Sequence, residues 1–221
     1  MTQLTFRLAT IDDVDALLRL VEAAYRGTPA ASTWTTEADL LGGQRVDRQM
    51  MTDAIDDTEK RVIVATRPTP CPTADSADPT ADSADSADSA DPTDTASSDE
   101  TGDPGTASMA GETVACCEVR SPDEAGNSVL GMFAVEPELQ GSGLGRDVLD
   151  AGEREAAALG ATAVELHVLD VRHELLAWYR RRGYSLTGEH VPFPYGDDRF
   201  GEPRRSDLRF AVLRKPVAAG D

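Results

Sequence analysis

The fold is decided by the stretch Val135-Glu-Pro-Glu-Leu-Gln140-Gly-Ser-Gly143-Leu-Gly145-Arg146. It joins an apolar run at residues 129–135 to a segment whose apolar residues recur at helical spacing, at residues 144–159. A glycine-rich turn between a strand and a helix leaves several backbone N–H groups without partners, and the helix dipole adds partial positive charge at the same place. The stretch therefore predicts a turn that binds an anion, most often a phosphate.

The spacing of the glycines discriminates among the phosphate-binding loops. The dinucleotide pattern G-x-G-x-x-G does not fit, because Gly145 comes one position too early. The ATP-binding loop ends in G-K-[ST], and no lysine lies near this turn. The pattern that remains is Gln-x-x-Gly-x-Gly, with Gln140, Gly143 and Gly145 in register. It resembles the acyl-CoA pyrophosphate loop of the GNAT superfamily of N-acetyltransferases; an ordinary glycine-rich turn is the alternative.

A second segment carries the same resemblance, and it reads Arg172-His-Glu-Leu-Leu-Ala-Trp-Tyr179-Arg-Arg-Arg-Gly183-Tyr184. It is similar to the closing GNAT segment, roughly N-x-x-A-x-x-L-Y-x-x-x-G-[FY], and Tyr179, Gly183 and Tyr184 match it in type and spacing. Two positions depart from the pattern: Arg172 stands where the family usually has Asn, and Leu175 where it often has Ala. The first departure puts in doubt any contact attributed to that Asn. The resemblance covers residues 129–184.

The resemblance implies a single α/β (α+β) domain over residues 1–221. Its sheet is mixed and mostly antiparallel, with about six to seven strands, helices on both faces, and a splayed strand pair that binds CoA. Periodicity and capping residues predict the order β, α, α, β, insertion, β, β, loop, α, β, α, β, β. Strands are predicted at 4–8, 60–66, 113–119, 129–135, 163–169, 184–189 and 208–215. The first helix is predicted to follow its cap Thr10, and the second to span 36–55 with an interruption at Gly42-Gly43. The third is predicted at 144–159 with Gly160 as its left-handed cap, and the fourth before Gly183.

Residues 68–111 differ in composition from the rest of the chain. They contain ten acidic residues among Ala, Ser, Thr and Pro, and no Lys or Arg. Such a segment cannot bury enough apolar surface to offset its ordering entropy, so we expect it to be disordered. It is predicted to be an insertion in the turn of a hairpin, because long surface loops are tolerated at little cost. A solvated spacer is the simplest interpretation, and an acidic interaction segment is the alternative.

The formal net charge is −19, and without residues 68–111 the chain still has 30 acids against 21 bases, a net charge of −9. Only Lys60 and Lys215 are lysines, whereas arginines number 19. A surface rich in Asp and poor in Lys is typical of proteins that work in molar salt, which screens carboxylate repulsion. We therefore predict a halophilic source, with an acidic protein from a GC-rich genome as the alternative. Nucleic acid is excluded as a partner, because its phosphates would be repelled.

The cysteines and the hydropathy pattern bear on the compartment. Three cysteines form neither a disulfide framework nor a metal-ligand spacing, and Cys116 and Cys117 are adjacent on one predicted strand. The chain has no secretory signal and no apolar run near 18 residues. We expect a cytoplasmic protein with no membrane association, present as a monomer or homodimer.

The resemblance also implies which residues bind acetyl-CoA, the co-substrate, without a metal. Backbone groups of Phe133, Ala134 and Val135 would bind the pantetheine. The turn would bind the pyrophosphate, with Gln140 bracing the loop and the Arg146 side chain adding charge. The turn residues in this expectation are Gln140, Gly141, Ser142, Gly143, Leu144, Gly145 and Arg146.

The catalytic residues are less fully specified. Tyr179 matches the family tyrosine that often protonates the departing thiolate; as an alternative it is a core aromatic residue. Glu136 or Glu118 is the predicted general base, while Glu22, His190 and a water chain stay open. The loop at residues 192–201 is expected to contribute to the acceptor pocket, or else to be a packed surface loop.

Two functions of different classes follow. The first is an N-acetyltransferase that transfers an acetyl group from acetyl-CoA to a primary amine of a small molecule or peptide, by direct attack in a ternary complex. The second is a non-catalytic acyl-CoA-binding module that acts as a sensor or partner subunit. The intact loop together with Tyr179 favours the enzyme.

Overall fold

The computed structural model describes residues 4–27, 36–68, 111–197 and 200–218. The insertion predicted at 68–111 therefore lies outside the described residues, apart from the residue at each end. The predicted loop at 192–201 is described except for Asp198 and Arg199.

Nine strands, four α-helices and two short 3-10 turns make up the described part of the chain. In chain order they are β1 (Thr5–Leu8), a 3-10 turn (Ile11–Asp13), α1 (Val14–Arg26), β2 (Leu41–Gly42), α2 (Arg48–Asp56), β3 (Lys60–Arg67), β4 (Glu112–Arg120), β5 (Asn127–Val135), a 3-10 turn (Pro137–Leu139), α3 (Leu144–Ala158), β6 (Ala163–Leu169), α4 (His173–Arg180), β7 (Ser185–Pro192), β8 (Glu202–Pro203) and β9 (Arg209–Pro216).

Seven strands form one mixed sheet in the order β1-β3-β4-β5-β6-β9-β7. Neighbouring strands are antiparallel except β5 and β6, which are parallel and are connected by α3. The short strands β2 and β8 pair separately. The predicted fold class, a single α/β domain with a mostly antiparallel sheet, is confirmed.

The helices cover both faces of this sheet. On one face, α1 and α2 bury Leu17, Val21 and Met51 against alternate residues of β3, β4 and β5. On the other face, α3 buries Val148 and Leu149 against the intervening residues of the same strands, and α4 adds Tyr179 to that cluster. The alternation of side chains along each strand supplies both faces with apolar residues. Within the described residues, no helix combines the length and apolarity needed to cross a membrane.

The strands that flank residues 68–111 form a hairpin. β3 ends at Arg67, β4 begins at Glu112, and these two residues are paired in the antiparallel register. The Arg67 Nε also lies 2.7 Å from Glu112 Oε2. The chain therefore leaves and re-enters the sheet at adjacent points, as the hairpin prediction requires.

One predicted helix is wrong over most of its length. The helix expected at residues 36–55 is helical only from Arg48 to Asp56. Gly43 adopts a φ of 70°, and Leu41–Gly42 pairs with β8 instead of continuing a helix. The helix begins where the Asp47 carboxylate accepts a hydrogen bond of 2.7 Å from the Met50 amide. Pairing with a strand distant in sequence therefore overrides the local helical pattern.

Candidate active site

A gap opens in the sheet between the parallel strands β5 and β6. The two strands pair only from Asn127–Ala163 to Val129–Glu165. Beyond that point β5 continues to Val135 and β6 to Leu169 without pairing to each other. Each strand keeps its other neighbour, β4 for β5 and β9 for β6. The facing edges of the gap therefore present backbone groups that can bind an extended ligand as an added strand.

A bulge in β5 accompanies this divergence. Met132 has a φ of 42°, a left-handed conformation that is uncommon for residues other than glycine. The register between β4 and β5 shifts in the same region, between Cys116 and Glu118. An extra residue in one strand bends it and increases its twist. The bulge therefore directs the end of β5 away from β6.

The Gln-x-x-Gly-x-Gly turn lies directly after this open end of β5 and leads into α3. Gly141 and Gly143 adopt φ values of 83° and 99°, which favour glycine. A Cβ at either position would have no atom within 4 Å, so both face open space. Their amides donate to no other group in the described part of the chain. Together with the N-terminus of α3, the turn therefore has a geometry that suits an anion.

Side chains hold the turn in this shape. The Gln140 Nε2 donates to the Val135 carbonyl at 3.3 Å, which ties the loop back to the end of β5. The Ser142 hydroxyl donates to the Leu139 carbonyl at 2.6 Å. These two hydrogen bonds tie the loop to the end of β5 and to the 3-10 turn before it.

Arginine side chains add positive charge beside the turn. Arg146, in the first turn of α3, is 67% exposed at its side chain. The Arg182 guanidinium stacks on the Trp178 ring, 3.4 Å from its centroid, and donates to the Trp178 carbonyl at 2.9 Å. Burial lowers the pKa of Arg182, and the nearby charges of Arg181 and Arg146 lower it further. A Cβ on Gly145 would lie 3.4 Å from Trp178, so this stack supports the start of α3.

Comparison with known proteins agrees with this geometry. The model of the Acetyltransferase (GNAT) family matches residues 70–184, which is more than half of the chain. The chain belongs to this family.

Two curated acetyltransferases share part of the sequence. IAA acetyltransferase of Azospirillum brasilense is 32% identical over 93 residues, which are 42% of this chain and 59% of that protein. Mycothiol acetyltransferase of Propionibacterium freudenreichii subsp. shermanii is 32% identical over 62 residues, 28% of this chain and 20% of that protein. The match thus spans less than two thirds of either relative.

Solved structures share the fold over the whole chain. A Salmonella typhimurium protein solved with its cofactor acetyl-CoA has a TM-score of 0.57 at 15% identity, covering 100% of this chain and 99% of its own. The ribosomal-protein-S18-alanine N-acetyltransferase of Escherichia coli has a TM-score of 0.55 at 13% identity, and the match covers 99% of this chain and 97% of that chain. At these identities the likeness shows the fold alone.

Tyr179 of this GNAT domain lies on α4 in an aromatic cluster. Its ring centroid is 4.9 Å from that of Trp178, 5.8 Å from Tyr184 and 6.3 Å from Phe133 of β5. The residue is 4% exposed. Burial raises the pKa of Tyr179 well above the ordinary phenol value, and the charge on Tyr25 raises it further. Tyr179 therefore stays neutral throughout the physiological pH range.

Tyr25 lies on the opposite face of the sheet from Tyr179. Like Met132, it packs against the α1 face, whereas Tyr179 belongs to the α3 face. Burial raises the pKa of Tyr25 to about 12.

The structure places the predicted general bases at different points. Glu118 is buried on β4 opposite Gly131 of β5, and its Oε1 lies 3.1 Å from the Arg120 Nε. Glu136 follows β5 and lines a groove of about 310 Å³ with Arg7 and Asp13. Burial raises the pKa of Glu136, and the charges of Glu138 and Glu112 add to this effect. Glu118 thus lies near the bulge, and Glu136 at the groove beside the start of α1.

The alternatives Glu22 and His190 lie elsewhere in the structure. Glu22 accepts hydrogen bonds from the amides of Arg45 and Val46, the latter at 3.0 Å, and so anchors the segment before α2. His190 is exposed on β7, which β9 separates from β6.

A group of charged side chains lies beside Tyr25, and sequence reasoning missed it. We call Arg26, Arg45 and Arg172, together with Glu37, the arginine cluster. The Arg26 Nη1 lies 3.9 Å from Glu37 Oε2, and Arg45 stacks over the Tyr25 ring at 4.8 Å. Arg172, which precedes α4, donates to the carbonyl of Thr36, the neighbour of Glu37, at 3.0 Å. The one sequence signal was the departure at Arg172.

The loop at residues 192–201 contributes mainly packing in its described part. Phe193 is buried and stacks on Phe210 with centroids 5.7 Å apart. The Tyr195 hydroxyl accepts from the Leu208 amide at 2.6 Å and donates to the Arg205 carbonyl at 3.1 Å. At the end of the loop, a Cβ on Gly201 would lie 2.6 Å from the Arg26 Nη2. The loop therefore borders the arginine cluster.

Proposed function

We propose that this GNAT protein is an N-acetyltransferase that moves an acetyl group from acetyl-CoA to a primary amine of a small molecule or peptide, within a ternary complex. The observation that carries the proposal is the gap between β5 and β6 with the Gln-x-x-Gly-x-Gly turn at its open end. The gap suits an extended pantetheine chain, and the turn suits a pyrophosphate.

The residues that would hold acetyl-CoA line one continuous path. Backbone groups of Phe133, Ala134 and Val135 would bind the pantetheine along β5. Within the turn at residues 141–146, the amides of Gly141 and Gly143 would receive the pyrophosphate, because they have no partner among the described residues. Arg146 and Arg182 would add charge-assisted contacts at the outer end.

The reaction itself needs one new bond and one proton donor. The neutral amine nitrogen attacks the thioester carbonyl carbon, a C–N bond forms, and the C–S bond breaks. The amine loses one proton to a base, and the departing thiolate gains one proton. We propose that Tyr179 donates the proton that the thiolate gains, since it matches the tyrosine of the family pattern and its ring lies 6.3 Å from that of Phe133 on β5, beside the gap. Glu118 or Glu136 would take the proton that the amine loses, directly or through water.

A binding experiment tests the turn. Gly143→Asp places a carboxylate where the pyrophosphate is proposed to lie and should lower acetyl-CoA affinity at least about tenfold, as measured by calorimetry. Gly143→Asn has the same size without the charge and should bind more tightly than Gly143→Asp. Gly160→Asp is the matched control, because Gly160 also has a positive φ of 91° and open space around it, at the far end of α3.

An activity experiment separates the enzyme from a non-catalytic module. Thiol release should be observed from acetyl-CoA in the presence of at least one member of an amine panel. Unchanged acetyl-CoA affinity in a folded Gly143→Asp protein would refute the assignment of the turn. Tight acetyl-CoA binding without thiol release for any amine would instead identify an acyl-CoA-binding module.

We also propose that residues 68–111 are a disordered acidic insertion in this single cytoplasmic domain, and that the source is halophilic. The composition supports both ideas, since the chain has 40 acidic residues and 21 basic ones. Thermal melting in about 0.1 M and in multimolar KCl tests the proposal of a halophilic source. The midpoint should rise with salt, and an equal midpoint in both would contradict a halophilic source.

A further inference from the structure

His167 of β6 lies at the edge of the gap, on the face of the sheet that carries α1. The last residue of β6 that pairs with β5 is Glu165, and His167 is the next residue on the same face. Its neighbours Leu166 and Val168 belong to the core on the α3 face, so alternation along the strand places His167 on the opposite face. The His167 side chain is 32% exposed. An accessible imidazole is therefore present at the point where the two strands separate.

An open space lies across the gap from His167. Continuing the parallel register of β5 and β6 beyond the pair of Val129 and Glu165 brings Gly131 to the level of His167. Gly131 pairs on its other side with Glu118 of β4. A Cβ on Gly131 would meet no atom of the described residues within 4 Å. Because β4 and β6 are two strand spacings apart, Glu118 and His167 would flank this space at a separation of about 10 Å or more.

A carboxylate orients the His167 ring. The His167 Nε2 lies 2.8 Å from Glu165 Oε1, and the Arg214 Nη2 donates to the other oxygen of Glu165 at 2.7 Å. Burial acts to raise the pKa of Glu165, but the hydrogen bonds from Arg214 and His167 outweigh it and keep that pKa below its usual value. An ionised carboxylate can only accept hydrogen bonds, so in the neutral ring Nε2 carries the proton and Nδ1 has a lone pair. An imidazole held in this form can take up a proton at Nδ1.

The two predicted carboxylates are placed less favourably for this role. Glu118 shares the α1 face with His167, because it alternates along β4 with Cys117, a residue of the core on the α3 face. The Glu118 Oε1 is 3.1 Å from the Arg120 Nε, in an ion pair that protonation would weaken. Glu136 follows the last residue of β5 and lines the groove beside α1. Neither carboxylate therefore matches the position of His167 at the closed end of the gap.

The proposed path of acetyl-CoA brings its thioester to the same level. The pyrophosphate would lie at the turn after Val135, and the pantetheine would run from there along β5, toward the end of the gap where the strands pair. The gap closes at the pair of Val129 and Glu165. The thioester, at the far end of the pantetheine from the pyrophosphate, would therefore lie near Gly131 and His167. An amine over Gly131 would have the thioester and the imidazole as neighbours.

We propose that His167 is the general base of the acetyl transfer, that Glu165 positions its ring, and that the acceptor amine lies over Gly131. The inference rests on the proposed function and assigns its proton acceptor to an imidazole in place of a carboxylate. The amine nitrogen forms the new C–N bond with the thioester carbonyl carbon, and its proton passes to His167 Nδ1. The C–S bond breaks with its electron pair on sulfur, and the thiolate is protonated by Tyr179 as in the proposed function. The imidazolium then releases its proton to solvent.

The principal experiment measures thiol release and acetyl-CoA binding in His167→Gln. Gln keeps a polar side chain beside Glu165 but cannot take up the proton, so kcat should fall about 10²–10⁴-fold. Acetyl-CoA affinity, measured by calorimetry, should stay unchanged. His173→Gln is the matched control and should keep the turnover of the wild type, because His173 is an exposed histidine at the start of α4. Glu118→Gln and Glu136→Gln should each lower kcat less than His167→Gln does.

A second variant, Gly131→Ala, tests the place of the amine. The added methyl group would meet no atom of the described residues, and Gly131 does not have a left-handed φ, so the thermal midpoint should stay unchanged. The methyl group would occupy the space proposed for the acceptor. The KM for the amine should therefore rise at least about tenfold, while acetyl-CoA affinity holds.

A double variant tests the positioning role of Glu165. Glu165→Gln should lower kcat about tenfold in the wild type without changing the KM for the amine. It should have no further effect in His167→Gln, because a group that acts only through the imidazole has no influence once the imidazole is gone. Equal losses in both backgrounds would show that Glu165 has a structural role only.

The outcomes separate this inference from the proposed function. Full turnover in a folded His167→Gln protein, or a larger loss of kcat in Glu118→Gln or Glu136→Gln, would overturn the assignment of His167 and leave the transferase proposal standing. An unchanged KM for the amine in Gly131→Ala would overturn the acceptor position, even if His167→Gln failed to fold. A wild type that releases no thiol with any amine of the panel would overturn both the proposed function and this inference.

Discussion

Replacing Tyr179 with Phe removes one oxygen from the proposed proton donor and keeps the ring. The ring contacts with Trp178, Tyr184 and Phe133 stay, and the hydroxyl has no hydrogen-bond partner among the described residues. We therefore expect the free energy of unfolding to change by less than about 1 kcal/mol. General acid catalysis contributes about 10²–10⁴-fold, so kcat should fall by that factor, which corresponds to about 2.7–5.4 kcal/mol of activation free energy.

The matched control is Tyr184→Phe in the same aromatic cluster. The Tyr184 hydroxyl donates to Glu153 Oε1 at 3.0 Å, and Glu153 also contacts Lys215 at 2.6 Å. This variant should lose about 1–3 kcal/mol of stability, because it breaks a hydrogen bond to a charged group, and keep its turnover. The assay is thiol release beside urea unfolding and acetyl-CoA calorimetry. Full turnover in Tyr179→Phe with an accepted amine would show that Tyr179 is a core residue and that solvent protonates the thiolate.

Three further predictions concern cofactor affinity, pH and the insertion. Arg182→Gln should lower acetyl-CoA affinity about tenfold, measured by calorimetry beside the exposed control Arg180→Gln, and equal affinities would remove Arg182 from the phosphate site. Burial raises the pKa of Tyr179 and Tyr184, so above about pH 10 the unfolded chain binds fewer protons than the folded one and stability falls as pH rises. These two tyrosines alone should account for about 3 kcal/mol of the loss at pH 11 in urea unfolding, and Tyr25, Cys116 and Cys117, whose pKa burial also raises, should add to it. Equal stability at pH 8 and 11 would contradict this prediction. Replacing residues 70–111 with a short Gly/Ser turn should leave the thermal midpoint at high salt nearly unchanged, because Arg67 and Glu112 are already paired. Loss of a cooperative unfolding transition would show instead that the segment packs on the domain.

Local signals in the sequence were sufficient for the elements around the turn. The strand predicted at residues 163–169 has those bounds in the structure, and α3 begins at Leu144 and is followed by Gly160 in a left-handed conformation. Period, glycine spacing and capping act over a few residues, so they survive in any tertiary context that buries the apolar face. The wrong helix at residues 36–55 is the counterexample, because its pattern gave way to pairing with a strand some 160 residues later.

The sequence by itself determined the fold class, the family and the position of the turn, because an anion-binding turn is built from consecutive residues and their backbone amides. Only the tertiary structure decided how far β5 and β6 separate, and which side chains meet at the gap. The aromatic cluster around Tyr179 combines Phe133 of β5 with residues of α4, and the arginine cluster draws on residues 26 to 172. No periodicity connects such positions, since their proximity depends on the packing of α1, the segment before α2, and α4 around one opening in the sheet.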